Sequence, residues 1–272
     1  MTKILFRQES TFQTVCVGER QNVRFLRFGD ASAGWQGACV LDQPKRLYFP
    51  YQQAFSLHTA WLPTVENFLS IGVGTGTALN HIHWRHKAAN LTGIELDGMV
   101  LYVAERYFGL SRETVQLIEA DARTCLDQLD PSYDLIFLDA YYQEDTPSGM
   151  LQETFLKQLA DLLIPGGVLA INAIMTTLGK SSSRYHKLCR ELSRTVGPTF
   201  RIDVGILPFS EHNLLLYAIK MPAFIPSVES LRARARAEIA QNPDVYGPFR
   251  DALPTRIKAI DTAAHRSAWP IR

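Results

Sequence analysis

Little in this chain of 272 residues favours a polyanion, a bilayer or an oxidising compartment. Its 28 lysines and arginines nearly balance 27 acids, and a net charge of +1 gives no electrostatic case for nucleic acid or an acidic membrane surface. No apolar run is long enough to span a bilayer. The four cysteines, Cys16, Cys39, Cys125 and Cys189, are far apart and form no C-x-x-C pair, so neither a zinc site nor a disulfide framework is expected. The first residues lack an apolar leader core and meet Arg7 and Glu9 early, which makes the cytoplasm the expected location. There is no G-x-S-x-G and no Cys/His pairing that suggests a covalent nucleophile. Internal repeats and low-complexity tracts are missing as well. His81, His83 and His86 resemble a metal cluster at first glance, but a helix would spread them over different faces, so no metal is expected.

What is present is apolar and periodic. Hydrophobic residues make up 46% of the chain, enough for a substantial core. Residues 1–51 read as a small antiparallel β unit: VCVGERQNVRFLRFG alternates around a turn at Gly18–Asn22, and GACVLD and RLYFP are further short strand candidates. Residues 52–220 alternate strand and helix patterns from NFLSIGVG to GVLAINAI, which implies a parallel sheet with helices on both faces. FRIDVGILPF and NLLLYAIK, joined by a short polar turn, must pair antiparallel. The fold class is therefore α/β, a Rossmann-like parallel sheet ending in an antiparallel hairpin. Residues 221–272 open on two prolines and continue as a docked helical appendage, in which Arg232, Arg234 and Arg236 fan around a solvated helix.

The residues that bear on chemistry lie at strand ends. Gly72, Gly74 and Gly76 sit where a strand turns into a helix, with Thr75 between them; glycine allows the tight turn and a close approach of ligand to backbone. Glu95 ends the next strand, where an acid can accept bonds from both ribose hydroxyls. Asp121, in EADAR, could accept from an adenine amino group, although taken alone it reads as a helix N-cap. Asp139 ends YDLIFLDA and could orient or deprotonate an acceptor. The segment Tyr141–Gly149 reads as either a lid or a plain loop. Tyr51 and Gln52 stand at the junction of the β unit and the main domain, where Tyr51 on its own reads as a packing aromatic.

Taken together, VLD followed by PYQ, FLSIGVGTG, GIELD, EADAR, YDLIFLDA and LIPGGVLAIN resemble the spermidine synthase (polyamine aminopropyltransferase) superfamily, which shares the class I methyltransferase fold. The resemblance covers roughly residues 10–220. It implies that the glycine-rich loop holds the nucleoside and sulfonium end of the cofactor. It further implies that Glu95 takes the ribose, that Asp121 with Ala122 faces the adenine, and that Asp139 helps to deprotonate the acceptor, with Tyr51 and its neighbour Gln52 close by. A homodimer through the β unit is also implied. Three departures stand out. Thr75 replaces an acid that touches the donor's amino end. Leu47, Tyr48, Phe49 and Pro50 replace an Asp-Glu pair. Tyr142 replaces a second acid three residues after Asp139, with Glu144 and Asp145 nearby.

The expected reaction is direct displacement at a carbon beside a sulfonium. The leaving group is a neutral thioether, so the step needs no metal. Thr75 suits methyl transfer from S-adenosylmethionine, because no acid would repel the donor's own carboxylate. The β unit and PYQ suit aminopropyl transfer from decarboxylated S-adenosylmethionine. A nucleoside-binding scaffold without catalysis is the third reading. The expected partner is a small-molecule acceptor, with no nucleic acid and no membrane.

Overall fold

The computed structural model describes residues 1–140, 149–205, 208–248 and 250–260. Strands β1 (Thr2–Glu9), β2 (Thr14–Arg20), β3 (Val23–Phe28) and β4 (Trp35–Val40) form a four-stranded antiparallel sheet in sequential order. The hairpin between β2 and β3 turns at Gln21 and Asn22, with Gln21 at φ 55°; the turn is thus tighter than the sequence suggests. RLYFP is not a strand. It makes a single bridge from Leu47 to Cys39, and Pro50 starts helix α1 (Pro50–Ser56), because proline's fixed φ and missing N–H suit the first helical position.

Among the described residues the main sheet has eight strands. The alternating part contributes β5 (Asn67–Ile71), α2 (Thr77–Arg85), β6 (Asn90–Glu95), α3 (Gly98–Phe108), β7 (Gln116–Glu119), α4 (Ala122–Cys125), β8 (Tyr133–Leu138), α5 (Glu153–Leu162) and β9 (Leu163–Met175). Then follow α6 (Ser183–Thr195), β10 (Thr199–Asp203), β11 (His212–Ile219), α7 (Val228–Gln241) and β12 (Ile257–Ala259). The sheet order is β12-β10-β11-β9-β8-β5-β6-β7. The run β9-β8-β5-β6-β7 is parallel, while β11 inserts antiparallel between β9 and β10. The central strands are apolar on both faces, as a sheet covered by helices requires. One core packs Leu79 and Ile82 of α2 with Phe55, Phe68, Phe137 and Tyr217. The other packs Phe155, Leu156 and Leu159 of α5 with Leu188 and Leu192 of α6. A third cluster joins Val15, Val17 and Leu26 of the small sheet to Val100 and Val103 of α3.

Helix α6 falls outside the sequence-based reading, although Tyr185, Leu188, Cys189 and Leu192 are its buried residues at helical spacing. Two arginines of the C-terminal helix are tied down rather than solvated. Arg232 donates to the Thr255 and Ile257 carbonyls, Arg234 donates to Ala60 O, and β12 pairs with β10 at the sheet edge. Arg85 meets Glu238 at 2.9 Å, and that carboxylate is 6% exposed. Among the described residues no helix is long and apolar enough to cross a membrane.

Candidate functional site

The carboxyl ends of β5, β6, β7 and β8 converge where the order of connections reverses between β5 and β8, the place where open α/β sheets bind ligands. A cavity of 450 Å³ opens there, a volume suited to a nucleoside-sized ligand. Gly72, Gly74, Thr75, Glu95, Asp121, Ala122, Asp139, Tyr51 and Gln52 all line it. Gly76 does not. It lies behind the turn as the N-cap of α2, with φ 72°, against Leu110.

Gly72 has φ 85°, and a Cβ there would come within 2.4 Å of Asp139 O. Only glycine lets the turn after β5 lie directly against the end of β8. Glu95 holds the same turn from the other side. Its Oε2 accepts from Val73 N at 2.9 Å and Gly74 N at 3.3 Å, and its Oε1 accepts from Leu96 N at 2.9 Å and Asp97 N at 3.3 Å. Burial raises the Glu95 pKa, and those four backbone N–H groups oppose the rise. Asp121 is the N-cap of α4, accepting from Arg123 N, and it also meets the Arg123 guanidinium at 2.6 Å, which lowers its pKa.

Asp139 and Tyr51 come together. The Tyr51 hydroxyl hydrogen-bonds the Asp139 carboxylate, and Asn172 Nδ2 donates to Asp139 Oδ1 at 2.7 Å. Asn213 Nδ2 in turn donates to Asn172 Oδ1 at 3.1 Å, so a polar chain crosses from β11 through β9 to the end of β8. Burial pushes the Asp139 carboxyl up to about 6, despite the bonds from Asn172 and Tyr51. Burial, with the adjacent Asp139 charge, raises the Tyr51 phenol well above its ordinary range. A carboxyl that titrates near neutrality beside a ligand cavity suits a general base.

Asn172 and Asp97 escape the sequence reading. Asn172 is an isolated polar residue within the apolar run GVLAINAIM, a signal that could have singled it out. Asp97 lines the cavity and caps α3 through Met99 N at 2.9 Å. It also accepts from Ser10 Oγ at 2.6 Å, which ties the β1–β2 loop to the site. Phe12, Gln13, Phe28 and Gln36 of the small sheet complete that wall. Gly37 on β4 is as close to the turn as a residue can be: a Cβ there would lie 2.4 Å from Thr75 Cγ2.

Helix α1, which carries Tyr51, is held from a distance. Gln53 Nε2 donates to Leu47 O at 2.9 Å, while its Oε1 accepts from Gly247 N at 3.0 Å. Leu47 N donates to Val245 O at 3.0 Å. The segment from Tyr141, including Tyr142, Glu144 and Asp145, lies outside the described residues up to Ser148. Met150, beyond it, lines the cavity.

The histidines depart from expectation. His86 follows the last residue of α2 with φ −127° and ψ 78°, so it leaves the helix and turns inward. Its Nε2 meets His58 Nε2 at 3.0 Å, and the His81 ring lies 6.0 Å from that of His58. Burial drives all three pKa values down, His81 to about 3 and His86 to about 4. They are neutral imidazoles packed in the core. Among the described residues no group of three or more His, Cys, Asp or Glu is arranged to hold a metal ion.

A protein-family model described as a methyltransferase domain matches residues 68–167. The chain is 29% identical over 180 residues to a polyamine aminopropyltransferase of Vibrio vulnificus; the match takes in 64% of this chain and 60% of that relative's length. A solved structure of a probable spermidine synthase from Corynebacterium glutamicum superposes over 98% of this chain and 99% of its own, with TM-score 0.75 at 17% identity. Human methyltransferase-like protein 13, solved in complex with SAH, covers 73% of this chain and 90% of its own, with TM-score 0.55 at 18% identity.

Proposed function

Because the chain has the spermidine synthase-like form of the class I methyltransferase fold, we propose that it is a transferase that uses a sulfonium nucleoside and moves an alkyl group, methyl in the favoured reading, to a small-molecule acceptor. The observation that carries this is one juxtaposition: the glycine-rich turn, the Glu95 carboxylate and the Tyr51–Asp139 pair line a single cavity. In this reading residues 1–51 wall the site, residues 52–220 hold the nucleoside, and residues 221–272 are appended.

The fit to the nucleoside rests on the cavity volume, the close-approach glycine turn and a buried carboxylate at the end of β6. Glu95 would accept from the ribose hydroxyls, and Asp121 with Ala122 would face the base. When bound, the sulfonium nucleoside supplies an electrophilic carbon beside its sulfur. Asp139, ionised above about pH 6, would take or orient the proton of the acceptor's nucleophile. Tyr51 and Asn172 hold that carboxylate in place, so the acceptor meets a base that is already oriented. Thr75 supports the methyl reading: it is 4% exposed and bonded to Thr77 at 2.8 Å, so the turn presents no acid at that position.

Aminopropyl transfer from the decarboxylated donor is the second reading. The relatives named polyamine aminopropyltransferase and the Tyr51–Asp139 pairing favour it. Calorimetric titration separates the two. S-Adenosylmethionine and S-adenosylhomocysteine form one pair, decarboxylated S-adenosylmethionine and methylthioadenosine the other. A preference of tenfold, about 1.4 kcal/mol, for the first pair supports methyl transfer, and the reverse preference supports aminopropyl transfer. Binding of neither pair refutes both.

A further inference from the structure

Beside the main cavity lies a second one of 320 Å³, and Leu47, Thr75, Thr77 and His81 line both. Among the described residues, the charged groups of the second cavity are Lys45 and Arg46, and no carboxylate lines it. Lys45 Nζ sits 4.8 Å over the Trp84 ring, and Arg46 Nη1 donates to Gln43 Oε1 at 3.1 Å. Neither cation takes part in an ion pair among the described residues. At the shared wall, His81 is 5% exposed. Burial and the neighbouring His86 and Arg85 keep the imidazole neutral, so the charge of this cavity comes from Lys45 and Arg46.

The carboxylates of the main cavity are already engaged. Glu95 accepts from four backbone N–H groups, Asp97 from Ser10, Gln13 and Met99, and Asp121 from Arg123. Asp139 is held by Asn172 and Tyr51. A dication entering the site would find few free carboxylates to replace its hydration among the described residues, whereas an anion would find two cations.

We propose that the second cavity is a carboxylate subsite of the transfer site, with Lys45 and Arg46 supplying the charge. The proposal rests on the nucleoside reading above. A carboxylate beside Thr75 has two sources: the α-carboxylate of the donor's amino-acid tail, or a carboxylate on the acceptor.

The test uses the full chain and its Lys45→Ala/Arg46→Ala variant, both positions being at the surface, at low ionic strength, where such charges are least screened. S-Adenosylhomocysteine and methylthioadenosine are titrated separately. Benzoate is then titrated into the methylthioadenosine-saturated protein, with benzylamine as its cationic match. If the donor is the source, S-adenosylhomocysteine weakens at least tenfold in the variant and methylthioadenosine stays within twofold. If the acceptor is the source, both nucleosides are unchanged, and benzoate binds the wild type at least tenfold more tightly than the variant. In either case Lys45→Arg/Arg46→Lys, which keeps both charges, retains most of the affinity. Nucleoside and benzoate affinities that are all equal in wild type and variant overturn the proposal, as does a site that prefers benzylamine. Should neither nucleoside bind the wild type, the nucleoside reading fails by itself, and the benzoate arm on the free protein decides the subsite.

Discussion

Replacing Asp139 with asparagine is expected to make the protein more stable and catalytically silent. The carboxyl titrates at about 6 in the folded chain against an ordinary 3.8. A raised folded pKa means that the native state keeps a proton the unfolded chain has already lost. Stability from this group is therefore fully present below pH 3.8 and is lost as pH rises through 6. A gap of about two pKa units is worth ~3 kcal/mol once both states are ionised, at pH 8, and about half of that at pH 5. Asparagine keeps an Oδ1 to accept from Asn172 and an Nδ2 to meet the Tyr51 oxygen, and it never ionises. Asp139→Asn should thus exceed wild type by ~3 kcal/mol at pH 8 and by ~1.5 kcal/mol at pH 5. Urea denaturation followed by tryptophan fluorescence at the two pH values measures both gaps. The same variant should bind S-adenosylhomocysteine as wild type does and show no turnover. Equal gaps at pH 5 and pH 8, or a variant less stable than wild type at pH 8, would refute the claim that Asp139 is held against its own desolvation.

Other expectations follow from the same geometry. Gly72→Ala combines a left-handed backbone with a contact of 2.4 Å on Asp139 O, and should cost about 2–4 kcal/mol in a urea melt and weaken nucleoside binding in calorimetry. Arg85→Ala strips the guanidinium from the buried Glu238 carboxylate, and should lower stability by roughly 3 kcal/mol; Glu238→Gln in the same background should recover part of that loss. His81 is lowered to about 3 in the fold, so its contribution is present above pH 6.5 and is lost as pH falls. Wild type should lose ~2 kcal/mol between pH 7.5 and pH 5 relative to His81→Gln, which opposing urea midpoints at the two pH values would reveal. Asn172→Ala removes a donor to the Asp139 carboxylate, and should move the acid limb of the pH–rate profile upward by about one unit.

The parts of the site that are legible in the sequence are those whose meaning is local. A glycine-rich turn between an apolar strand and a helix, and acids closing successive strands, are defined by their immediate neighbours; Gly72, Glu95, Asp121 and Asp139 fall in one cavity because strand ends in a parallel sheet share an edge. Asn172 is different. Its role exists only through β8 on one side and β11 on the other, and pairing across a sheet is not written in either strand alone. Helix α6 was legible and is easily passed over, since charged residues surround a narrow apolar stripe of Tyr185, Leu188, Cys189 and Leu192. RLYFP misleads for the opposite reason: its apolar content suits a strand, while Pro50 commits the chain to a helix. The histidines mislead because the helical spacing of His81 and His86 stops applying once α2 ends at Arg85.

The clasp at Gln53 has a consequence for the order in which the molecule is made. The helix that carries Tyr51 is fastened through Gln53 to Gly247 and through Leu47 to Val245, nearly two hundred residues downstream. A ribosome extends the chain from its N-terminus at about 5–20 residues per second, so the small sheet and most of the strands emerge well before those anchors exist. During that interval the hydroxyl destined for Asp139 has its helix but lacks the distal half of its mooring. A nascent chain arrested before residue 245 should therefore display the glycine-rich turn without a settled Tyr51, so that binding and turnover are acquired at different moments of synthesis.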